Sequence, residues 1–186
     1  MSAWTLDSAH SQIEFAVKHM MVTTVRGQFR QFTAEVDFDE DHPERSSIVA
    51  NIDASSIETG MEARDAHLKG ADFFDVATYP ELVFCSTGIE RRGDYYRING
   101  DLTIRGATHP VTLDAEIGGI VPNMQGGRRA GFSATTKISR KEWGLTWNVA
   151  METGGLLVGD DIKISLDIAL VAAEAASTKV AVGVAA

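Results

Sequence analysis

The sequence predicts an all-β protein of about eight antiparallel strands, with one main helix near residues 60–69. Two observations support this fold class. Apolar and polar residues alternate along most of the chain, which is typical of strands with one buried and one solvated face. A single segment breaks the alternation and carries helix signals instead. The length of 186 residues favours one domain, with a core large enough to fold without disulfides.

The alternation runs through eight segments, which are separated by turn signals such as Arg92-Gly93-Asp94 and Gly154-Gly155. Short connections between this many strands favour a sandwich or a closed barrel. Parity within each segment predicts which side chains face the interior. The predicted inward set is Ile13, Phe15, Val17, Phe32, Ala34, Val36, Ile52, Phe84, Leu102, Ile104, Leu113, Phe132, Ile164 and Leu166.

The helix is predicted from signals at both of its ends. Thr59 and Glu62 have the spacing of a capping box in which Thr59 is the N-cap. Gly70 stands where a left-handed C-terminal cap is expected. A lone helix in an all-β chain often closes one end of a barrel or sheet, and we expect this helix to do so.

Arg64 is the most informative residue of this helix, because it shares a face with Met61 and Leu68, and His67 adjoins that face. A permanent cation in apolar surroundings must be paired or must meet a ligand. Two interpretations stay open at this point. Arg64 pairs with a carboxylate and fixes the helix to the barrel, or it anchors the polar head group of a ligand at the mouth of a cavity.

The composition excludes several classes of function. Lys and Arg number 17 against 26 Asp and Glu, so the net charge is −9 and we expect no nucleic-acid partner. No apolar run reaches the roughly 18 residues of a transmembrane helix, so we expect no stable membrane insertion. The single cysteine, Cys85, and the absence of a signal-peptide pattern predict a cytoplasmic protein.

Recognisable catalytic motifs are absent from the sequence. It contains no nucleotide-binding loop, no zinc-protease motif and no nucleophile-elbow motif. The five histidines, at positions 10, 19, 42, 67 and 109, show no close ligand spacing. We therefore expect no catalytic residue, no bound metal and no cofactor, and we predict that the protein is not an enzyme.

Several short motifs follow one another in a fixed order from about Trp4 to Leu170. They are Trp4-Thr5-Leu6-Asp7, His10-Ser11, Phe15-x-Val17-x-His19, Arg26-Gly27-x-Phe29, Ser56-Ile57-x-Thr59, Arg64-Asp65-x-His67-Leu68-Lys69, Asp72-Phe73-Phe74-Asp75, Tyr79-Pro80, Gly100-Asp101-Leu102-Thr103-Ile104-x-Gly106 and Arg140-x-x-x-Gly144-Leu145. Single motifs are weak, but the ordered set is specific. It resembles the YceI-like family of polyisoprenoid-binding, lipocalin-like proteins.

The resemblance implies an antiparallel lipocalin-like β-barrel with a helix at one end and a long apolar cavity. It also implies an isoprenoid lipid or a quinone-like molecule as the ligand, with no established catalytic residues. We assign residues 1–172 to the barrel domain and residues 173–186 to an Ala-rich C-terminal tail. Barrels of this kind can pair along strands or loops, so a homodimer is compatible with the sequence.

Inward parity and the helix face together predict where such a ligand lies. The apolar wall holds the chain, and the polar end lies near the Arg64–His67 face or near His19. The predicted ligand-binding residues are Phe15, Val17, His19, Phe32, Val36, Arg64, His67, Phe84, Leu102, Ile104 and Phe132.

Three functions fit these observations. The first is carriage or sequestration of an isoprenoid or quinone-like lipid. The second is an enzyme that acts on such a lipid through His19, His67 or Arg64. The third is a structural barrel whose interior is filled by side chains. The ordered motifs favour the first function, and the lack of a catalytic constellation weighs against the second.

Overall fold

The computed structural model describes residues 4–124 and 126–172, and within them eleven strands and one α-helix occur. The strands are β1 Trp4–Leu6, β2 Gln12–His19, β3 Thr23–Phe29, β4 Phe32–Asp37, β5 Ser47–Asp53, β6 Ile57–Glu58, β7 Glu81–Arg92, β8 Tyr95–Ile104, β9 Ala107–Pro122, β10 Arg128–Ser139 and β11 Val158–Ala172, and the helix is α1 Glu62–Lys69. The predicted tail at 173–186 lies outside the described residues.

The strands pair antiparallel in one sheet with the order β4-β5-β7-β8-β9-β10-β11-β2-β3-β6, and β1 pairs with β11. The sheet curls into a half-barrel, and β1 also packs beside β4. We call the end that carries α1, the β2–β3 turn and the start of β11 the helix end. The opposite end, with β1 and the end of β11, is the tryptophan end. The predicted all-β antiparallel fold is confirmed.

Three strands, β1, β3 and β6, are present in addition to the eight that the alternation predicts. β1 and β6 contain three and two residues, so no alternation is visible in them. The inward row of β3 contains Gly27, which pairs with Phe15 across the sheet. A Cβ at Gly27 would overlap the Phe15 ring and lie 2.8 Å from Thr59 Cγ2. Glycine is therefore required there by packing, and it hides the strand pattern.

The helix Glu62–Lys69 confirms the helix predicted near residues 60–69. Gly70 is its C-cap residue as predicted, but the predicted N-cap and the left-handed conformation of Gly70 are wrong. Met61 is the N-cap residue instead of Thr59. The Thr59 N–H, at 2.8 Å, and the Thr59 hydroxyl both donate to the Asp65 carboxylate, so this hydroxyl does not cap the helix. Gly70 has a φ of −76°, which is not left-handed. No helix among residues 4–124 and 126–172 is long and apolar enough to cross a membrane.

Two methionines form the tight turn between β2 and β3. Met20 and Met21 have φ values of 51° and 63°, and the Val22 N–H donates to the His19 carbonyl at 3.3 Å. Left-handed backbone at both central positions is the geometry of a type I′ turn, for which Asn-Gly is favoured. A non-glycine residue in this conformation costs about 1–2 kcal/mol. The turn therefore holds two large apolar side chains where other residues would be less strained.

Candidate functional site

A cavity of about 310 Å³ occupies the interior of the half-barrel. Every residue of the predicted inward set lines it, so the parity prediction is confirmed. Many of these side chains, among them Ile13, Phe15 and Val17, face the interior yet are only partly buried, because the cavity leaves part of their surface uncovered. The interior is therefore not filled by side chains.

Small residues in the wall make room for this cavity. Ala34 and Ala50 pair across β4 and β5, and both line the cavity with short side chains. Gly100 lets the Phe84 ring lie directly against the backbone of β8, since a Cβ at Gly100 would overlap that ring. Gly27 on β3 does the same for the Phe15 ring of β2. The rings are thus drawn toward the sheet, and the centre of the barrel stays open.

Aromatic clusters cover both ends of the cavity. At the helix end, Phe74 packs edge-on against Phe29 with ring centroids 5.8 Å apart. At the tryptophan end, Phe38 stands edge-on to Trp4 at 5.6 Å and to Phe132 at 5.1 Å. Edge-to-face pairs at these distances contribute about 0.5–1.5 kcal/mol each beyond their buried area. Aromatic rings therefore stand at both ends of the cavity.

Arg140 is the buried cation of the cavity wall, and its side chain is only 3% exposed. Burial lowers the pKa of the guanidinium, and the nearby Asp160 carboxylate opposes this shift. Its N–H groups donate to the backbone carbonyls of Leu145, Trp147, Val158 and Gly159. Arg140 therefore joins the 145–158 segment to the barrel and has little donor capacity left for a ligand.

Hydroxyl groups of the wall differ in how far their hydrogen-bonding capacity is used. Thr136 donates to the Thr112 carbonyl at 2.7 Å, and Ser46 accepts the Asp39 N–H at 3.0 Å. The Tyr96 hydroxyl has no hydrogen-bond partner in the part of the chain that the structure describes. Tyr96 and the exposed Ser133 are therefore the wall residues whose hydroxyls have a full donor and acceptor available.

Tyr96 stands near the start of β8, toward the tryptophan end. It pairs with Ala115 on β9, and Ala115 pairs in turn with Ala134 on β10. Two short side chains beside a long one leave space for the phenol ring on the cavity side of the sheet. The predicted inward set does not include Tyr96, although it includes Leu102 and Ile104 of the same strand. The parity of Tyr96 with Ile98 and Leu102 was the available signal.

The structure separates the predicted ligand-binding residues into two groups. Three of them, His19, Arg64 and His67, do not line the cavity. His19 ends β2 beside the turn, and His67 is exposed, with its Nε2 atom 3.0 Å from the Asp72 carboxylate. The other eight line the cavity, and they are Phe15, Val17, Phe32, Val36, Phe84, Leu102, Ile104 and Phe132.

Among the described residues, Arg64 neither lines the cavity nor forms a direct ion pair with a carboxylate. Its Nε donates to the Thr59 hydroxyl at 2.7 Å, and its Nη2 donates to the Thr59 carbonyl at 2.8 Å. The carboxylate in this network, Asp65, binds Thr59 instead. Arg64 therefore fixes the segment before α1, and the direct ion pair considered from the sequence is replaced by a shared threonine.

Sequence analysis missed wall residues outside the clear alternation. Phe29 comes from β3 and Ile57 from β6, while Phe73 and Phe74 follow α1. The motif Asp72-Phe73-Phe74-Asp75 was the one signal that pointed to the last pair. Among the described residues, no group of three or more His, Cys, Asp and Glu side chains is placed to hold a metal ion.

Comparison with known proteins places this barrel in a family. Residues 4–170 match the YceI-like domain. The protein belongs to the YceI-like family. A UPF0312 protein of Staphylococcus aureus (strain USA300) is 39% identical over 164 residues, which cover 88% of this chain and 94% of that relative. The family indicated by the ordered motifs is therefore confirmed.

Several solved structures have the same fold. Burkholderia cenocepacia BcnA aligns with a TM-score of 0.74 at 27% identity, covering 88% of this chain and 98% of its own. The Campylobacter jejuni YCEI protein aligns with a TM-score of 0.72 at 31% identity, covering 94% and 100%. A polyisoprenoid binding domain from Saccharophagus degradans gives 0.64 at 12% identity, covering 92% and 99%, and supports the fold alone. The lipocalin-like barrel prediction is confirmed.

Proposed function

We propose that this protein binds a lipid with a long apolar chain, isoprenoid or quinone-like, inside the barrel and carries or sequesters it. The observation that supports this most directly is the open cavity of about 310 Å³, whose wall is apolar except for a few hydroxyl-bearing residues, Glu14 and Arg140. This volume lies at the lower end of the roughly 300–1,000 Å³ of small-molecule sites. Membership of the YceI-like family agrees with this ligand class.

The apolar wall supplies enough free energy for such a ligand. Each buried methylene contributes about 0.8 kcal/mol, so one five-carbon unit contributes about 4 kcal/mol. Association is estimated to cost about 4–15 kcal/mol, which the burial of about one to four such units offsets. Affinity therefore comes from chain burial, and polar groups determine orientation.

The polar end of the ligand is best accommodated beside Tyr96. Arg140 has its donors committed to backbone carbonyls, whereas the Tyr96 hydroxyl is unused within residues 4–124 and 126–172. A carbonyl or hydroxyl on the lipid would satisfy it. The placement predicted from the sequence, near His67, Arg64 or His19, orients the ligand the other way round, because those residues lie at the helix end.

Native mass spectrometry of the purified protein tests the ligand class. We expect a mass above that of the chain, which organic extraction removes and which is identified as an isoprenoid or quinone-like lipid. A protein that carries no lipid and takes up none from a supplied isoprenoid quinone contradicts the proposal. The same spectra measure the oligomeric state. The homodimer and the cytoplasmic location stay predictions.

A variant that fills the cavity tests the location of the ligand. Ala34→Phe places a ring in the wall, and we expect retained lipid to fall at least about tenfold, because the ring excludes several methylenes. Thr33→Phe is the matched control, since Thr33 is exposed on the other face of the same strand. Equal lipid retention by the two folded variants contradicts binding in this cavity.

A further inference from the structure

Two loops at the helix end expose large apolar side chains. Met20, Met21 and Val22 of the β2–β3 turn are 48%, 67% and 76% exposed. Val149 and Leu156 of the loop before β11 are 46% and 41% exposed. We call these five residues the apolar tip. Single exposed apolar residues are ordinary, but a clustered set marks an interaction surface.

The two loops form one surface because they contact each other. The Met20 N–H donates to the Leu157 carbonyl at 2.8 Å. The Met21 side chain lies against Gly155, where an added Cβ would stand 2.5 Å from the Met21 sulfur. Gly155 also has a φ of 91°, so both close approach and backbone conformation require glycine. The apolar tip is therefore continuous across the two loops.

Folding does not explain the composition of this tip. Both methionines adopt left-handed backbone, for which Asn and Gly are better suited. Their side chains also stay partly to largely exposed, at 48% for Met20 and 67% for Met21. A sequence that keeps strained, exposed methionines at a turn gains nothing in stability from them. Their presence indicates that the surface contacts something apolar outside the chain.

The charge beside the tip is positive in an acidic protein. The net charge of the chain is −9, yet residues 15–34 contain no Asp or Glu. Lys18 and Arg26 on β2 and β3, and Lys163 beside them on β11, form no ion pair within the described part of the chain. Glu152 is the acidic residue of the second loop. Asp160 and Asp161, at the start of β11, are paired with Arg140 and Lys141 and with Lys137, respectively. Unpaired cations behind an apolar tip match an anionic lipid surface.

The tip also adjoins the cavity. Val17 lines the cavity three residues before Met20, and Val158 lines it two residues after Leu156. We propose that the helix end docks reversibly on an anionic phospholipid bilayer, with the apolar tip in the interface and Lys18, Arg26 and Lys163 at the head groups. The use of this membrane contact for lipid exchange rests on the proposed function, whereas docking on the bilayer does not.

Vesicle flotation of the full-length, lipid-stripped protein tests this contact. The probes are vesicles of phosphatidylcholine mixed with phosphatidylglycerol, and vesicles of phosphatidylcholine alone. We expect binding to the anionic vesicles, reduced at least about tenfold in Met20→Asn/Met21→Gly. The same double variant should melt at a higher temperature than the wild type, because Asn-Gly relieves the strain of the turn. Lower vesicle binding then cannot result from unfolding.

Two further variants complete the experiment. Met124→Ser removes a fully exposed methionine from the loop between β9 and β10, at the tryptophan end, and should leave vesicle binding unchanged. Lys18→Gln/Arg26→Gln should weaken binding to anionic vesicles by about fivefold per cation and leave neutral vesicles unaffected.

Three results would overturn the proposal. The first is wild-type binding by Met20→Asn/Met21→Gly, or an equal loss in Met124→Ser. The second is equal binding of the wild type to neutral and anionic vesicles. The third is a wild-type oligomer that dissociates in the methionine variant without vesicles, since the tip is then an interface between copies. Lipid retention by the purified protein, measured separately, distinguishes failure of this contact from failure of the proposed function.

Discussion

Tyr96 lines a cavity whose surface is almost entirely apolar, and its hydroxyl has no hydrogen-bond partner among the described residues. A hydrogen bond between this hydroxyl and an acceptor on the ligand contributes about 0.5–1.5 kcal/mol. The hydroxyl therefore favours a lipid with a carbonyl or hydroxyl end over a bare hydrocarbon of equal length. Phe132 and Phe84 cannot make this distinction, because they offer only apolar surface.

Tyr96→Phe tests this selectivity. We expect the affinity for an isoprenoid quinone to fall about three- to tenfold, and the affinity for a hydrocarbon of matched chain length to stay the same. Competition with a fluorescent lipid measures both. Tyr95→Phe is the matched control, since Tyr95 is exposed on the opposite face of β8. An equal loss for both ligands would assign Tyr96 a packing role only.

At the scale of the element, β3 depends on Gly27 for its fit against β2 and the segment before α1. A Cβ there would meet both the Phe15 ring and Thr59. Phe15 in turn packs against Phe29, with ring centroids 5.9 Å apart. Overpacking at such a position forces ring and backbone shifts that cost about 1–3 kcal/mol.

Gly27→Ala should therefore lower the free energy of unfolding by about 1–3 kcal/mol in denaturant titrations. Gly88→Ala is the comparison, because an added Cβ at Gly88 meets nothing within 4 Å. That variant should change stability by less than about 1 kcal/mol. Similar losses in both variants would show that close packing against Phe15 is not what Gly27 provides.

The same strand shows how far sequence reasoning reaches. Alternation is a local property, so the inward rows of the eight longer strands and their place around the cavity follow from parity alone. β3 was not predicted because Gly27 interrupts its inward row of apolar side chains. That glycine is required by the Phe15 ring, which belongs to β2. The open centre, too, depends on how far opposite walls stand apart, which no single segment encodes.

The polar groups were harder to predict for the same physical reason. Arg64 was placed on an apolar helix face, but whether it meets a carboxylate, a ligand or Thr59 depends on how the preceding segment folds back. Among the described residues, the Thr136 hydroxyl has a hydrogen-bond partner and the Tyr96 hydroxyl has none. Such partners come from distant parts of the chain. Periodicity identifies which face a side chain occupies and not what it meets there.

At the scale of the whole molecule, the protein is predicted to bind a lipid without transforming it. His67 has the most elaborate surroundings of the candidate histidines, since its ring packs edge-on against Trp147 at 4.6 Å and against Phe73 at 5.1 Å. These contacts give it a structural role at the helix end, outside the cavity lining.

Incubation of the lipid-loaded protein tests this prediction. We expect the lipid to be recovered chemically unchanged by mass spectrometry, in the wild type and in His67→Ala alike. His42→Ala, at an exposed histidine in the loop before β5, serves as the control. Turnover by the wild type that disappears only in a correctly folded His67→Ala protein would reassign this barrel to an enzyme.

The pairing of the first strands with the last has a consequence for how the barrel forms. β1 and β2 both bond to β11, and the Thr5 hydroxyl and its Val171 acceptor are 166 residues apart. Ribosomes add about 5–20 residues per second, so these strands wait roughly 10–30 s for their partner. All-β domains with such distant pairings themselves fold in milliseconds to seconds. Closure is therefore limited by synthesis, and the nascent chain must be kept from aggregating until β11 emerges.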